Sequence, residues 1–184
     1  YIGSHSDFGF FQKSNSGVLV YTSLVEKLNL IIEDDEEFWN IMTLDNWIIF
    51  QSISRLIFID KNNNDVKYLK LKGIINNSFS IDKQIYIALN TGLFKLVNGQ
   101  SELVIESSQL PSQIVNIFNS ENGLLILTSQ HGFYLEKSPG VLIRVNSSLD
   151  FLNDGFSIFS AIQLQDSSYA LGSVGQGLFL LDSD

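Results

Sequence analysis

Cysteine is absent from the 184 residues, methionine occurs once, and histidine and proline occur twice each. Without cysteine the chain has no disulfide, no thiol nucleophile and no thiolate zinc site, although this leaves the compartment open. Basic residues are also scarce. Eleven Lys and Arg face twenty Asp and Glu, giving a formal net charge of −9 and a pI near 4.5. Neither nucleic acid nor an anionic membrane surface offers such a chain a counter-charge, so no direct nucleic-acid contact is expected. No apolar run approaches the roughly 18 residues that a membrane helix needs, and no basic start followed by an apolar core reads as a signal peptide. Contact with a membrane is therefore expected only through parts outside this segment. The chain opens on Tyr1 inside an apparent strand and stops at Asp184 soon after another, so processing is expected to have set its ends. Long windows of apolar residues at helical spacing are missing too, which argues against an α or α/β fold.

What is present is apolar and repetitive. Hydrophobic residues make up 45%, aromatic residues 12% and charged residues only 17%, enough to bury a substantial core. Five copies of one short pattern run through the chain: Gly9-Phe10-Phe11, Arg55-Leu56-Ile57, Gly92-Leu93-Phe94, Gly132-Phe133-Tyr134 and Gly177-Leu178-Phe179. They start 46, 37, 40 and 45 residues apart, close to the period of about 40 to 50 residues that marks propeller blades. Each follows an apolar run such as Ile48-Ile49-Phe50 or Leu124-Leu125-Ile126-Leu127.

The third copy shows the organisation within a repeat. Phe79-Ser80-Ile81 alternates, Asp82-Lys83 turns, Gln84 to Leu89 is an apolar strand, and Asn90-Thr91 turns into a strand from Gly92 to Val97. Asn98-Gly99 is a strong hairpin signal, and Glu102 to Glu106 supplies a fourth strand. Turns at Ser14 to Gly17, Lys61 to Asp65 and Ser138 to Gly140 stand in the place of Asn98-Gly99 elsewhere. Ser23 to Asn29 and Glu33 to Asn40 can each form a helical turn between strands. The predicted fold is all-β: a β-propeller arc of four-stranded antiparallel blades, about three complete and two partial. It is read as one segment of repeats 1–37, 38–73, 74–113, 114–157 and 158–184. Both partial blades carry second and third strands and cannot complete each other, so the arc is expected to belong to a larger propeller.

These repeats resemble the two-component-regulator propeller repeats in the periplasmic sensor regions of Bacteroidetes hybrid two-component and three-tyrosine-domain regulators. The likeness lies in an apolar strand, a turn and then Gly-Leu-aromatic, followed by Gln84 to Phe94, Leu124 to Tyr134 and Tyr169 to Phe179. Phe38-Trp39-Asn40-Ile41 through Arg55 to Asp60 is similar to a blade variant of members with a three-tyrosine domain, with Arg55 departing from the usual glycine. The resemblance implies a periplasmic sensor ectodomain of an inner-membrane signal-transduction protein. A kinase or DNA-binding output would lie elsewhere in the parent, and the signal would be a glycan fragment or another small molecule. No cofactor is implied.

In a propeller, the turns between second and third strands gather on one face around the axis, where distant residues converge. The candidate ligand-binding residues there are His5, Asp7, Gln51, Ser52, Arg55, Asn90, Thr91, Gln130, His131 and Gln176. Hydroxyls, amides and imidazoles suit sugar hydroxyls, and a guanidinium suits a uronic carboxylate because Arg donates paired hydrogen bonds to it. Short polar residues also fill such turns for purely conformational reasons.

No metal site is expected. His5 and His131 occupy equivalent turns three repeats apart, and zinc needs three or four close ligands. The run Glu33 to Glu37 lacks a glycine bend and is expected to be a solvated connection or an acidic helical turn. Asp60 to Asp65 lacks the sixth-position glycine and distal glutamate of a calcium loop. Catalysis is not expected, since the chain holds no Gly-x-Ser-x-Gly elbow, phosphate-binding glycine loop or His-Glu-x-x-His. The alternatives are an interaction scaffold and, further off, a propeller glycosidase or lyase. Open sheet edges at the two ends predict self-association.

Overall fold

The structure is a computed structural model that describes residues 1–145 and 156–182; the stretch 146–155 of the fourth repeat and the last two residues lie outside the described residues. The described chain folds into five antiparallel meanders, each with its strands in chain order. The first sheet holds β1 (Ile2–Gly3), β2 (Phe8–Lys13) and β3 (Leu19–Ser23), and it runs into a single turn of helix, α1 (Leu24–Lys27). The second holds β4 (Asn40–Leu44), β5 (Trp47–Gln51), β6 (Arg55–Asp60) and β7 (Val66–Lys70). The third holds β8 (Ile75–Ile81), β9 (Gln84–Leu89), β10 (Gly92–Val97) and β11 (Gln100–Glu106), and a 3-10 turn at Ser107–Gln109 follows. The fourth holds β12 (Ile114–Ser120), β13 (Gly123–Thr128), β14 (Gly132–Ser138) and β15 (Val141–Arg144). The fifth holds β16 (Ile158–Gln163), β17 (Tyr169–Ser173) and β18 (Gly177–Leu181). Three sheets thus have four strands and two have three. Among the described residues no helix is long and apolar enough to cross a membrane.

Turn chemistry explains the connections. Asp82 and Lys83 take φ of 45° and 60°, and Asn98 and Gly99 take 49° and 80°. Left-handed backbone at both central residues is what a two-residue hairpin needs to match strand twist. Ser23 caps α1, its hydroxyl accepting from the Glu26 amide at 3.0 Å, as an N-cap serine does. Glu33 to Asn40, where the sequence allows a second helical turn, is instead an extended connection with one tight bend at 34–35.

The described residues divide into two compact units: residues 1–90 with 96–101, and residues 91–95 with 102 onward. In the first unit the apolar faces of the first two sheets meet around Phe8, Leu24, Phe38, Ile48, Phe50, Ile57 and Ile59. Phe8 stacks on Phe50 with ring centres 4.0 Å apart and meets Phe38 edge-on at 4.7 Å. β1 lies against β4, and β4 against β8. In the second unit Phe118, Leu127, Phe133, Ile158, Ala161 and Leu171 form the core between the fourth and fifth sheets, and β12 lies against β16.

Candidate functional site

The turns that carry the predicted ligand residues are built by recurrent hydrogen bonds. Where the second strand ends, a hydroxyl reaches across to the carbonyl opening the third. Thr128 Oγ1 donates to the Gly132 carbonyl at 2.9 Å, Ser173 Oγ to the Gly177 carbonyl at 2.9 Å, and Ser4 Oγ to the Asp7 carbonyl at 3.0 Å. Ser52 serves the same turn in the second sheet, its backbone N–H donating to the Arg55 carbonyl at 3.0 Å. Main-chain bonds then tie each turn to the start of a neighbouring strand. The Asn90 amide donates to the Ile74 carbonyl, Ser129 to Gln113, and Val174 to Ser157. Such bonds satisfy backbone groups that would otherwise be costly to bury.

The first unit holds six of the ten candidates. Gln51, Ser52 and Arg55 are buried, at 1%, 0% and 8% exposure. Ser78 Oγ donates to Gln51 Oε1, and Ser52 Oγ accepts from the amides of Ser54 and Arg55. Asn90 Oδ1 accepts from the Ile74 amide at 3.0 Å. Asp7 accepts from its neighbour's amide, from Tyr21 Oη at 2.9 Å and from Ser23 Oγ at 2.7 Å. Burial, with the Asp7 bond and charge adding to it, pushes the Tyr21 hydroxyl up to about 12.

Arg55 marks the most elaborate part of this face. Its Nε donates to Glu36 Oε1 at 2.8 Å, and its Nη2 donates to Glu36 Oε2 and to the Ile31 carbonyl at 3.0 Å. Glu36 is 4% exposed. Burial works to raise its carboxyl, yet hydrogen bonds from Arg55, Ser52 and the Glu33 amide, with the Arg55 charge, hold it below the usual carboxylate range. The guanidinium is raised in turn, first by its bonds to Glu36, and it lies 5.2 Å above the Tyr68 ring. The run Glu33 to Glu37 is a solvated connection at Glu33, Asp34 and Asp35, which are exposed, but not at Glu36, which is buried. Bending at 34–35 carries Glu36 inward, because a buried guanidinium needs a counter-charge. On the outer side His5 stands 3.7 Å from Asp35 Oδ1 and 3.6 Å from Glu37 Oε1, while Lys70 Nζ pairs with Glu33 Oε1 at 2.9 Å. The acidic connection thus fastens the Ser4 to Asp7 turn and the second sheet together, helped by the Ser6 amide donating to the Glu36 carbonyl.

In the second unit, the Thr91 carbonyl accepts from the Ser107 amide at 3.1 Å. The Gln130 amide donates to Ser112 Oγ at 3.2 Å, and the Gln176 amide donates to Ser173 Oγ at 3.1 Å. His131 Nδ1 is buried without a hydrogen-bond partner. Among the described residues no three His, Asp or Glu are grouped to hold a metal ion. In the Asp60 to Asp65 turn the acceptors are spent locally: Asp60 Oδ1 takes the Asn62 amide at 2.7 Å, and Asn63 Oδ1 takes the Asp65 amide at 2.9 Å.

Two features escape a reading of the sequence. One is Glu36, whose signal is the long cation of Arg55 in a slot that other repeats give to glycine. The other is an asparagine series at Asn40, Asn77 and Asn116, 37 and 39 residues apart. Asn40 Nδ2 donates to the Ser78 carbonyl at 2.8 Å, and Asn116 Nδ2 to the Ala161 carbonyl at 2.7 Å. β4 is thereby tied to β8, and β12 to β16, the first strands of successive sheets.

Solved structures share this arrangement. An extracellular domain assigned to the hybrid two-component system BT3049 of B. thetaiotaomicron is 16% identical, with 99% of this chain covered and a TM-score of 0.67. A corresponding domain of BT4673 from the same organism is 18% identical over 94% of the chain, with a TM-score of 0.63. YCF48 from Cyanidioschyzon merolae is 11% identical over 97%, with a TM-score of 0.71. The sheets are β-propeller blades. This chain spans about a quarter of the length of the two B. thetaiotaomicron structures, 25% and 24%. No protein-family model matches it, and no curated protein does.

Proposed function

We propose that this chain is a ligand-sensing propeller segment in the extracytoplasmic, periplasmic part of a signal-transduction receptor, an arc of a larger propeller that responds to a glycan-derived ligand. The observation that carries this reading is the likeness of fold to extracellular domains of two hybrid two-component systems over nearly the whole chain, joined to the Gly-Leu-aromatic repeats that resemble sensor propellers. Of the ionisable residues in the candidate turns, Arg55 is committed to Glu36 and Asp7 to Tyr21 and Ser23.

Ligand binding to the folded state stabilises it by an amount set by concentration relative to Kd, about 2.7 kcal/mol at a hundredfold excess. Thermal unfolding of the receptor's propeller region against a panel of neutral and uronic oligosaccharides tests the proposal. A saturable rise with one glycan class and intact glycan at the end supports it. No shift across the panel overturns the glycan assignment, and cleavage of the glycan would favour the hydrolase reading.

A further inference from the structure

Within the first unit a cavity of about 310 Å³ opens among Leu44, Trp47, Phe58, Lys67, Ile85 and Leu96, with Tyr68, whose ring also lies against Arg55, in its lining. Leu44 and Trp47 flank the turn between β4 and β5, Lys67 is the second residue of the outer strand β7, and Ile85 and Leu96 come from the third sheet. Trp47 meets Phe58 edge-on at 6.2 Å between ring centres, and Lys67 Nζ sits 4.6 Å above the Trp47 ring.

Lys67 is the one charged residue in this lining, and among the described residues it forms no ion pair. Asp60 and Asp65 accept local hydrogen bonds, from the Asn62 amide and from Asn63 Nδ2 at 2.8 Å, and neither pairs with Lys67. An ammonium over an indole face at the mouth of an apolar cleft is complementary to a negative charge carried on an apolar body. A sugar suits the cleft poorly. The cleft's leucine, isoleucine and phenylalanine side chains offer hydroxyls no partner, which costs roughly 1–3 kcal/mol for each hydroxyl buried against them, and the polar side-chain groups of the lining are those of Lys67, Trp47 and Tyr68. The volume lies at the lower end of ligand pockets, which run from about 300 Å³.

We infer that this cleft is a second binding site, separate from the turns of the proposed sensing face, for a small amphipathic monoanion: one carboxylate on an unbranched or flat apolar body. The carboxylate pairs with Lys67 at the mouth, and the body lies along Trp47 and Phe58 toward Ile85 and Leu96.

Trp47 fluorescence tests the site, in a Trp39→Phe background that removes the exposed second indole. The probes are octanoate, its neutral counterpart octanol, and glucuronate as a hydroxylated anion. Octanoate is expected to change Trp47 emission saturably and to bind about fivefold or more tightly than octanol, the worth of a partly solvated ion pair. Lys67→Gln, a change at an exposed position verified by circular dichroism, is expected to abolish that preference while octanol binding persists. Glucuronate is expected to leave the emission unchanged. The proposal is overturned if millimolar octanoate gives no saturable change, if octanoate and octanol bind the unsubstituted site equally, if Lys67→Gln keeps the preference, or if glucuronate competes with octanoate.

Discussion

Arg55 stands where three other repeats place a glycine with left-handed backbone: Gly92, Gly132 and Gly177 have φ of 144°, 74° and 83°. Arg55 is not among the positive-φ residues, so its slot tolerates a side chain, and that side chain anchors Glu36. Removing one member of a buried pair leaves the other charged and unpaired. Arg55→Ala is expected to cost about 3–5 kcal/mol in chemical denaturation, and Glu36→Gln less because the amide keeps part of the hydrogen bonding. The Glu36 carboxyl is held below its ordinary value. Its contribution is therefore complete above the unfolded carboxylate pKa and is lost as pH falls through the folded one. The stability gap between the unsubstituted chain and Glu36→Gln should be constant near neutrality and close below about pH 4. A gap that stays open in acid would contradict this role for the carboxylate.

At the scale of the element, strand order was legible in the sequence because turn residues have few conformational choices. Asp82-Lys83, Asn90-Thr91 and Asn98-Gly99 mark three hairpins of one sheet, and its strands β9 and β10 have the bounds that those turns predict. The connection 33–40 was not legible. Five carboxylates in a row look solvated until the fold brings Arg55 beneath the fourth, a pairing across 19 residues that no local pattern encodes. The asparagine series was equally hidden, since its partners are main-chain carbonyls and carry no residue signature. Asn116→Ala should cost about 1–2 kcal/mol by leaving the Ala161 carbonyl without its donor, and Asn116→Asp should not recover it. Glycines provide an internal comparison. A Cβ on Gly92 would sit 2.2 Å from the Ile105 carbonyl oxygen, whereas one on Gly99 meets nothing within 4 Å. Gly92→Ala should therefore destabilise far more than Gly99→Ala, whose left-handed backbone alone costs about 1–2 kcal/mol. Equal losses in urea melts would refute that assignment.

For the whole molecule, the candidate ligand residues lie in or beside the turns that follow β1, β5, β9, β13 and β17, but what those turns do was only half visible. Their hydroxyls and amides hold the blades together, and a polar turn residue looks the same in sequence whether it faces a ligand or its own backbone. In the fifth sheet Leu171 and Phe179 pack into the core, while Ile162, Leu178 and Leu180 are 60%, 67% and 68% exposed. In the first sheet Phe11 and Leu19 are 52% and 60% exposed. Open sheet edges with apolar faces favour association, so we propose that the chain on its own self-associates. Light scattering should report a mass that rises with concentration; a constant monomer mass would contradict it.

The sensor reading is tested most directly by sequencing the coding region on both sides of these 184 codons. The account predicts further propeller repeats in frame, then a membrane-spanning helix and a kinase or DNA-binding output. A reading frame that closes beside Asp184, with only an export signal upstream, would leave no route for a signal and contradict it.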